Sequence, residues 1–464
     1  MSAPPAPAQP VAPSNQRLVV WLACGLGLAT FLVNLLLERQ FDQRAAFGQF
    51  DVLFDMDPNL RLQGITRGVE VFRLVHPNFG NYFRLPIAAV VKAASSTGLN
   101  LLPEAELTRC LGLLVTPTIS GCTVAVMLLL LNRLGLGTGS SLLLASLGAV
   151  SFSQLIGGSV PEHFALGGFC VTASLLLAAT ELRDGRSPLS WAWLALGTLA
   201  TGTTVTQIIP TLLLMVASGI GSGWTWRNAV RQIVVVGVCA GLLTYGSAFA
   251  LNRLLPPRES VGKASVPSSD QHAEEKKAPS AAASKVWTLR EILSHHGRWV
   301  VRFLRLDANL REQLTRVPEV LVNTLSPPRV GTQLLNRGQI QRGRYDFGFT
   351  LEKTGEWVTM AIVPLLLVTG LIGSRYGSRG QRFVTLAAAG ILLFNMVFHS
   401  LWGQEFFLYS QHWLVAQIVL LAGNLAYPFR TRRALCQLFV ILFPVVAFRN
   451  ANLIWSMLQQ MDGI

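Results

Sequence analysis

The chain has 464 residues, of which 51% are hydrophobic and only 13% are charged, and its formal net charge at pH 7 is +14. Soluble domains carry about 25% charged residues, so this composition excludes an ordinary water-soluble globular protein. Much of the positive charge lies in short loops between apolar runs, where Lys and Arg orient membrane helices. We therefore expect a lipid bilayer, and no nucleic acid, as the partner of this basic chain.

The apolar runs predict an all-α polytopic membrane protein. Segments close to the ~20 residues that cross a bilayer recur along the whole chain and indicate about eleven transmembrane helices. The predicted spans are residues 18–37, 110–131, 139–157, 162–180, 190–205, 206–221, 232–255, 357–373, 382–400, 409–427 and 434–452.

Two long polar stretches divide the chain, and the first residues are rich in Pro and Ala, which predicts a disordered tail. Within the second stretch, residues 261–284 contain few large apolar side chains and are also expected to be disordered. The predicted regions are a tail (1–16), an N-terminal transmembrane module (17–255) with a first external loop (38–109), a large external loop (256–356) and C-terminal transmembrane helices (357–464).

Basic residues are distributed unequally between alternate loops. The short loops 157–163 and 401–407 contain no Lys or Arg. The loops of the other set carry Arg133, Arg183, Arg186, Arg227, Arg231, Arg375, Arg379, Arg382, Arg430, Arg432 and Arg433. Because cytoplasmic loops are enriched in Lys and Arg, we expect a multi-pass protein of the inner (plasma) membrane with a cytoplasmic N-terminus and an external C-terminus.

Two further segments suit the membrane surface. Residues 82–99 are apolar but contain Arg84 and Lys92, and a crossing here would place the arginine-bearing loops outside. We therefore expect an amphipathic helix on the outer surface. Residues 287–325 interleave aromatics, leucines and arginines, which indicates interfacial helices that either cap the bundle or bind an anionic lipid.

Acidic residues near the outer surface are the first candidates for chemistry, since ionisable groups at membrane level are costly and often functional. Asp51, Asp55 and Asp57 follow the first span, and Asp55-Met-Asp57 forms a D-x-D motif. The motif alone has low specificity, and the alternative interpretation is a solvated turn before Pro58.

Three other groups lie in predicted external segments. Glu162, with His163, opens the fourth span, where it is either an N-terminal cap or a group that faces the same cavity as Asp57. The segment Gln404-EFFLYSQHW places Glu405, Tyr409 and His412 at the outer end of the tenth span. His76 stands with Pro77 directly before the predicted surface helix.

The order of these features resembles the GT-C superfamily of polyprenyl-phosphate-dependent glycosyltransferases, which includes protein mannosyltransferases and the aminoarabinose transferases of lipid A. The resemblance covers residues 17–180 best and returns at Phe406-FLYSQH. It implies a donor in which the sugar is linked to a polyprenyl phosphate, and a lipid, glycan or protein acceptor on the external face. It also implies that an acid in the first external loop is the catalytic base.

The resemblance assigns this role to Asp57, with Asp55 as the competitor, and places Glu162 as a second acid that orients the acceptor or a metal. A lysine often precedes the proline of the first loop in the family, whereas this chain has His76. Phosphate contact by His76 would require its protonated form. Arg61, Arg84 and the Arg298–Arg305 group are candidate phosphate contacts, with Tyr409 and His412 as further substrate-binding candidates.

The residue types suit this chemistry. A polyprenyl phosphate is already a good leaving group, so the protein must supply a base for the acceptor hydroxyl and cations for the phosphate. No cofactor is required, and a divalent metal between Asp57 and Glu162 is compatible with the mechanism. Two rival functions remain: a transporter or flippase of a lipid-linked sugar, which needs no base, and a non-catalytic assembly subunit, in which no single acid matters.

Overall fold

The structure is a computed structural model that describes residues 13–48, 53–54, 56–67, 76–98, 102–186, 188, 190–254, 317–327, 329–333, 346–348, 357–402 and 406–462. The predicted disordered segment 261–284, the Arg298–Arg305 group, Asp51, Asp55 and Glu405 lie outside these residues. The first helix begins at Pro13, within the segment 1–16 that was predicted as a tail, and residues 1–12 also lie outside the described residues.

The described residues are mainly helical. The helices are α1 (Pro13–Gln43), α2 (Pro58–Arg67), α3 (Phe79–Ser96), α4 (Glu104–Leu113), α5 (Val115–Arg133), α6 (Thr138–Ala149), α7 (Phe152–Gly157), α8 (Phe164–Asp184), α9 (Ser190–Thr203), α10 (Ile208–Gly221), α11 (Trp226–Leu254), α12 (Val317–Leu325), α13 (Trp357–Gly373), α14 (Arg379–Trp402), α15 (Gln411–Gly423) and α16 (Phe429–Asp462). Short 3-10 turns cover Ala46–Gly48, Val205–Gln207, Ser374–Tyr376, Phe406–Tyr409 and Asn424–Ala426. Strands β1 (Gly331–Gln333) and β2 (Asp346–Gly348) pair antiparallel, with Thr332 opposite Phe347.

Six of the described helical segments are long and apolar enough to cross a membrane, which supports a multi-pass membrane protein. They cover Gln16–Gln43, Glu104–Arg133, Phe164–Asp184, Trp226–Leu251, Arg379–His399 and Phe429–Asp462. Three shorter apolar segments cover Thr138–Ala149, Val205–Gly221 and Ala361–Tyr376. The count of about eleven spans therefore stays a prediction.

Sequence signals explain where one predicted span divides. The expected helix 139–157 is split into α6 and α7 at Ser151, whose side chain accepts a hydrogen bond from the backbone N–H of Gln154 at 3.2 Å. This is the N-cap contact of an S-x-x-Q capping box, a start signal for a new helix. A helix, α3, is present where the surface helix was predicted, and it packs on α2 and α4 and buries Ile87 and Val91. Its position at the outer membrane surface stays a prediction.

The core is built around α15, in which every residue is buried. Helices α8, α13 and α14 pack around it. The exposed large apolar side chains lie mainly on outer helices, among them Trp21 on α1, Leu242 on α11 and Phe429 on α16. Such extensive apolar surface is rare on soluble monomers and suits contact with lipid.

Helices α1 and α5 cross at very short range. A Cβ atom built on Gly27 would lie 2.8 Å from the carbonyl oxygen of Gly121, and one built on Gly121 would lie 2.6 Å from the carbonyl oxygen of Gly27. Membrane helices commonly approach each other through small residues, because a close crossing gains dispersion energy that lipid contact cannot replace.

Candidate functional site

The predicted site residues gather at one end of α8. The opposite end of this helix carries Asp184, which lies 3.9 Å from Arg133 and 3.7 Å from Arg186. A helix of the length of α8 spans roughly 30 Å at 1.5 Å per residue, about the thickness of the apolar part of a bilayer. The site end and the arginine-bearing loops are therefore separated by about one membrane thickness.

The D-x-D loop is held at its start by aromatic packing. Phe54 adopts a positive φ of 55°, a left-handed conformation that costs a non-glycine residue about 1–2 kcal/mol. Its ring lies 4.9 Å from the ring of Phe407 and 5.7 Å from the ring of Phe152. Met56, two residues later, is also buried. These contacts hold the chain that leads into Asp57.

The loop is held at its other end by Glu162. One carboxylate oxygen, Oε1, accepts a hydrogen bond from the backbone N–H of Asp57 at 2.8 Å. The other, Oε2, lies 3.2 Å from Nε of Arg61 on α2. The side chains of Arg61 and Glu162 are only 7% and 3% exposed, so this ion pair is removed from water.

Glu162 also contacts its neighbour in sequence. Its Oε2 accepts from the backbone N–H of His163 at 3.1 Å and lies 2.8 Å from Nδ1 of the same residue. Both oxygens are thus engaged by donors of the protein. The carboxylate stands beside the N-terminus of α2, where the helix dipole favours a negative charge. This geometry favours a positioning role for Glu162 over direct contact with acceptor or metal.

Asp57 occupies the position before Pro58, the first residue of α2, and its carbonyl accepts from the backbone N–H of Arg61 at 3.2 Å. Proline suits a first helical position because it lacks the N–H that would otherwise be unpaired. The side chain of Asp57 is half-buried. The backbone of the predicted base is therefore fixed while its side chain retains exposed surface.

Two buried histidines lie beside this ion pair. The rings of His76 and His163 are 3.9 Å apart. Nδ1 of His76 donates to the carbonyl oxygen of Thr203 at 2.8 Å and also lies 3.1 Å from the hydroxyl of Thr204. Burial, followed by the neighbouring His163 and Arg61, lowers the pKa of His76 well below its usual range.

His163 has the same tendency. Burial first, and then Arg61, lowers the pKa of His163 well below its usual range. Because a carboxylate can only accept, Nδ1 of neutral His163 carries the proton toward Glu162. Its Nε2 is buried and has no hydrogen-bond partner in the described part of the chain. Because burial and the neighbouring cation Arg61 also lower the pKa of His76, the protonated His76 that a phosphate contact would require is disfavoured.

A second cluster comes from the C-terminal helices. The rings of Tyr409 and His399 stack with centroids 3.7 Å apart, and His399 lies 6.1 Å from His412. Nδ1 of His412 lies 2.7 Å from Nε2 of Gln207. The small Gly167 on α8 makes room for this ring, because a Cβ there would lie 2.5 Å from Nε2 of His412.

Phe164 connects the two clusters. Its ring lies 4.0 Å from His163, 5.2 Å from Tyr409 and 5.6 Å from His412. The described histidines, which are four of the seven in the chain, thus form one continuous group of ring contacts. Three buried ring nitrogens lack a hydrogen-bond partner among the described residues: Nε2 of His163, Nδ1 of His399 and Nε2 of His412. Buried polar atoms normally form hydrogen bonds, so each of these three nitrogens is available for a hydrogen bond to a further group.

The structure therefore brings together Asp57, Arg61, His76, Glu162, Tyr409 and His412 from the predicted set. Arg84 is buried on α3, the helix that packs against α2. Asp55 lies outside the described residues. Among the His, Cys, Asp and Glu side chains that the structure describes, no three are grouped so as to hold a metal ion.

His399, Phe164 and Gln207 belong to the cluster but were not predicted. A histidine near the end of an apolar helix is a detectable signal, since ionisable residues in membrane spans are rare and often functional. Phe164 and Gln207 carry no comparable signal, because apolar and amide residues are common in such helices. No protein-family model matches the chain, and a comparison with curated proteins also finds no match.

Proposed function

We propose that the chain is an integral membrane glycosyltransferase of the GT-C kind. It transfers one sugar, with inversion, from a polyprenyl-phosphate donor to a lipid, glycan or protein acceptor on the external face of a bacterial inner membrane. One observation carries the proposal: Glu162 fixes the backbone of Asp57 beside the buried Arg61, at the end of α8 opposite the arginine-bearing loops.

The reaction needs one base. The acceptor hydroxyl attacks the anomeric carbon of the sugar, and a new C–O bond forms as the bond between that carbon and the phosphate oxygen breaks. The bonding electrons leave with the polyprenyl phosphate, and the hydroxyl proton moves to the base. In the proposed enzyme, the base is the carboxylate of Asp57.

Fixed geometry supports the choice of Asp57. A base acts efficiently only when it is held within hydrogen-bond reach of the proton that it takes. The aromatic contacts of Phe54 and the hydrogen bond from Asp57 to Glu162 hold the loop on both sides. The half-buried side chain of Asp57 is thus attached to a fixed backbone and retains exposed surface for contact with an acceptor.

Recognition of the donor phosphate requires a cation. The charge of Arg61 is balanced by Glu162, and burial favours the neutral form of His76. We assign the phosphate contact to Arg84, one of the cations that the resemblance offers, because its guanidinium geometry suits two phosphate oxygens at once. The unsatisfied nitrogens of His163, His399 and His412 offer hydrogen bonds to sugar hydroxyls.

The test is transfer by purified protein in liposomes, supplied with a panel of polyprenyl-phosphate hexoses and pentoses and with an acceptor extract from the host envelope. The Asp57→Asn variant keeps the size of the side chain but removes the base. We expect transfer to fall by ~10²-fold or more, the usual contribution of acid–base catalysis. Polyprenyl phosphate detected by native mass spectrometry should still bind to this variant and should bind less well to Arg84→Gln.

Matched controls separate the base from other acids. Asp42→Asn removes a carboxylate that pairs with Arg109 at 2.6 Å on the protein surface, and it should retain transfer. We expect weaker effects from Asp51→Asn and Asp55→Asn than from Asp57→Asn. Loss of transfer in Asp55→Asn with near-normal Asp57→Asn would move the base by two residues. Full activity in all of these variants, or lipid movement without transfer, would favour the transporter and reject the enzyme.

A further inference from the structure

A buried polar stripe runs between α1, α5 and α7 and contains none of the residues that we propose to contact substrate. Asn34 donates to the hydroxyl of Ser120 at 2.5 Å, and Gln154 donates to the same hydroxyl at 2.6 Å. The hydroxyl of Ser159 donates to Oδ1 of Asn34 at 3.3 Å. Every one of these residues is fully or almost fully buried. The stripe therefore lies inside the protein, between three apolar helices.

The stripe ends at an unpaired acid. Glu38 lies one helical turn beyond Asn34 on α1 and is 1% exposed. Within the described part of the chain, neither of its carboxyl oxygens has a hydrogen-bond partner. Thr116 lies one turn before Ser120 on the antiparallel helix α5, hence at the same level as Glu38. Its buried hydroxyl also lacks a partner in the described structure.

The charged residues on this part of α1 do not neutralise Glu38: Arg39 is exposed and forms no ion pair with Glu38 in the described structure, and the others are paired elsewhere. Asp42, one turn further along α1, accepts two hydrogen bonds from Arg109 at 2.6 and 2.9 Å. Arg44 pairs with Asp462 at 2.7 Å. The facing residues of α5 and α7 in the stripe are uncharged. An ionised carboxylate buried without a counter-ion costs several kcal/mol.

A route to water lies close by. The side chain of Asp42 is 24% exposed and that of Arg109 is 46% exposed. Four residues along a helix correspond to about 6 Å at 1.5 Å per residue, so Glu38 lies one turn below the solvated pair. A proton can reach this depth through a short local opening, whereas a hydrated metal ion would need a larger one.

We propose that Glu38 is a proton-binding site within the membrane helices, which exchanges its proton with the surface at Asp42 and Arg109. At neutral pH, Glu38 holds this proton as a carboxylic acid. The site is separate from the base Asp57 and requires no sugar donor.

Infrared difference spectroscopy tests this directly on the full-length protein in nanodiscs at pH 7. The spectrum of wild type minus Glu38→Gln should contain the C=O stretch of a protonated carboxylic acid, and this band should shift when H2O is replaced by D2O. A spectrum without the band would show that Glu38 is ionised, and a band that never shifts would show that its proton does not exchange. Loss of the band on addition of NaCl at fixed pH would identify a cation site instead. Each of these three results overturns the proposal.

A second variant, Glu38→Leu, tests whether loss of the carboxyl group disturbs the fold. If Glu38 has no structural partner, Glu38→Leu removes only the cost of burying a polar group, and apolar replacements of buried ionisable groups are often neutral or stabilising. We expect the melting temperature of Glu38→Leu to equal or exceed that of wild type, and wild type minus Glu38→Leu to show the same band. A strongly lowered melting temperature would mean that the carboxyl has a structural partner.

Discussion

The carboxylate of Glu162 accepts hydrogen bonds from several donors and so supports the D-x-D loop. The substitution Glu162→Gln removes the negative charge while preserving the shape of the side chain. The amide retains one oxygen that accepts hydrogen bonds. Its NH2 group replaces the second carboxylate oxygen and therefore faces a donor that it cannot accept from. The contacts at risk are those with Asp57, Arg61 and His163 at 2.8–3.2 Å.

The expected cost is large because the site is dry. Neither side chain of the Arg61–Glu162 pair is more than 7% exposed, so water cannot replace the lost contact. Removing one partner of a buried ion pair typically costs 3–5 kcal/mol. Since the amide keeps part of the hydrogen bonding, we expect a loss of about 3 kcal/mol in the free energy of unfolding.

Thermal unfolding in nanodiscs, followed by tryptophan fluorescence, measures this loss as a lowered melting temperature. Glu106→Gln, at an exposed position on α4, is the matched control and should leave the melting temperature unchanged. In a double-mutant cycle, Arg61→Met should destabilise wild type much more than it destabilises Glu162→Gln, with a coupling of about 2 kcal/mol. Additive effects, or a melting temperature of Glu162→Gln equal to wild type, would refute the proposed support of the loop.

Three further predictions concern pH, topology and the large loop. The folded protein holds His76 and His163 neutral, whereas unfolded histidines take up protons below about pH 6.5. Because the unfolded state then binds more protons, the free energy of unfolding should fall as pH drops from 6.5 to 5. The melting temperature of His163→Gln should depend less on pH than that of wild type. In a cysteine-free background, Ser378→Cys and Gln404→Cys should react with an impermeant thiol reagent from opposite sides of the membrane, and labelling from one side would overturn the predicted topology. Deletion of residues 261–284 should leave expression and transfer unchanged, since their composition cannot offset the entropy of ordering them, and inactivity at normal expression would contradict this.

The apolar runs correctly predicted that the described residues are mainly helical and include helices long and apolar enough to cross a membrane. A bilayer accepts a chain segment only when its side chains are apolar and its backbone groups are hydrogen-bonded internally. The same runs gave less accurate boundaries. The helix predicted at 18–37 extends over Pro13–Gln43, and the one predicted at 139–157 divides at Ser151. The division is encoded locally, in a serine that caps a new helix, and was missed because hydropathy averages over it.

The grouping of Asp57 with Glu162 was also predicted, from their places at the external ends of predicted spans. What the spacing could not reveal was which atoms meet: Glu162 contacts the backbone of Asp57 and the side chain of Arg61, and so supports the loop. That distinction depends on how Arg61 of α2 and Phe54 pack in the fold, which is decided by tertiary contacts.

The sequence by itself determined the helical class, the separation of basic and non-basic loops and the set of acids in the predicted external segments. Each of these follows from the chemistry of residues adjacent in the chain. The tertiary structure alone decided that His76, His163, His399 and His412 share one core and that Glu38 is buried with no hydrogen-bond partner among the described residues. Side chains on helices far apart in sequence meet only when packing fixes how each helix is rotated about its axis, and hydropathy constrains that rotation weakly in a chain whose helices are apolar on most faces.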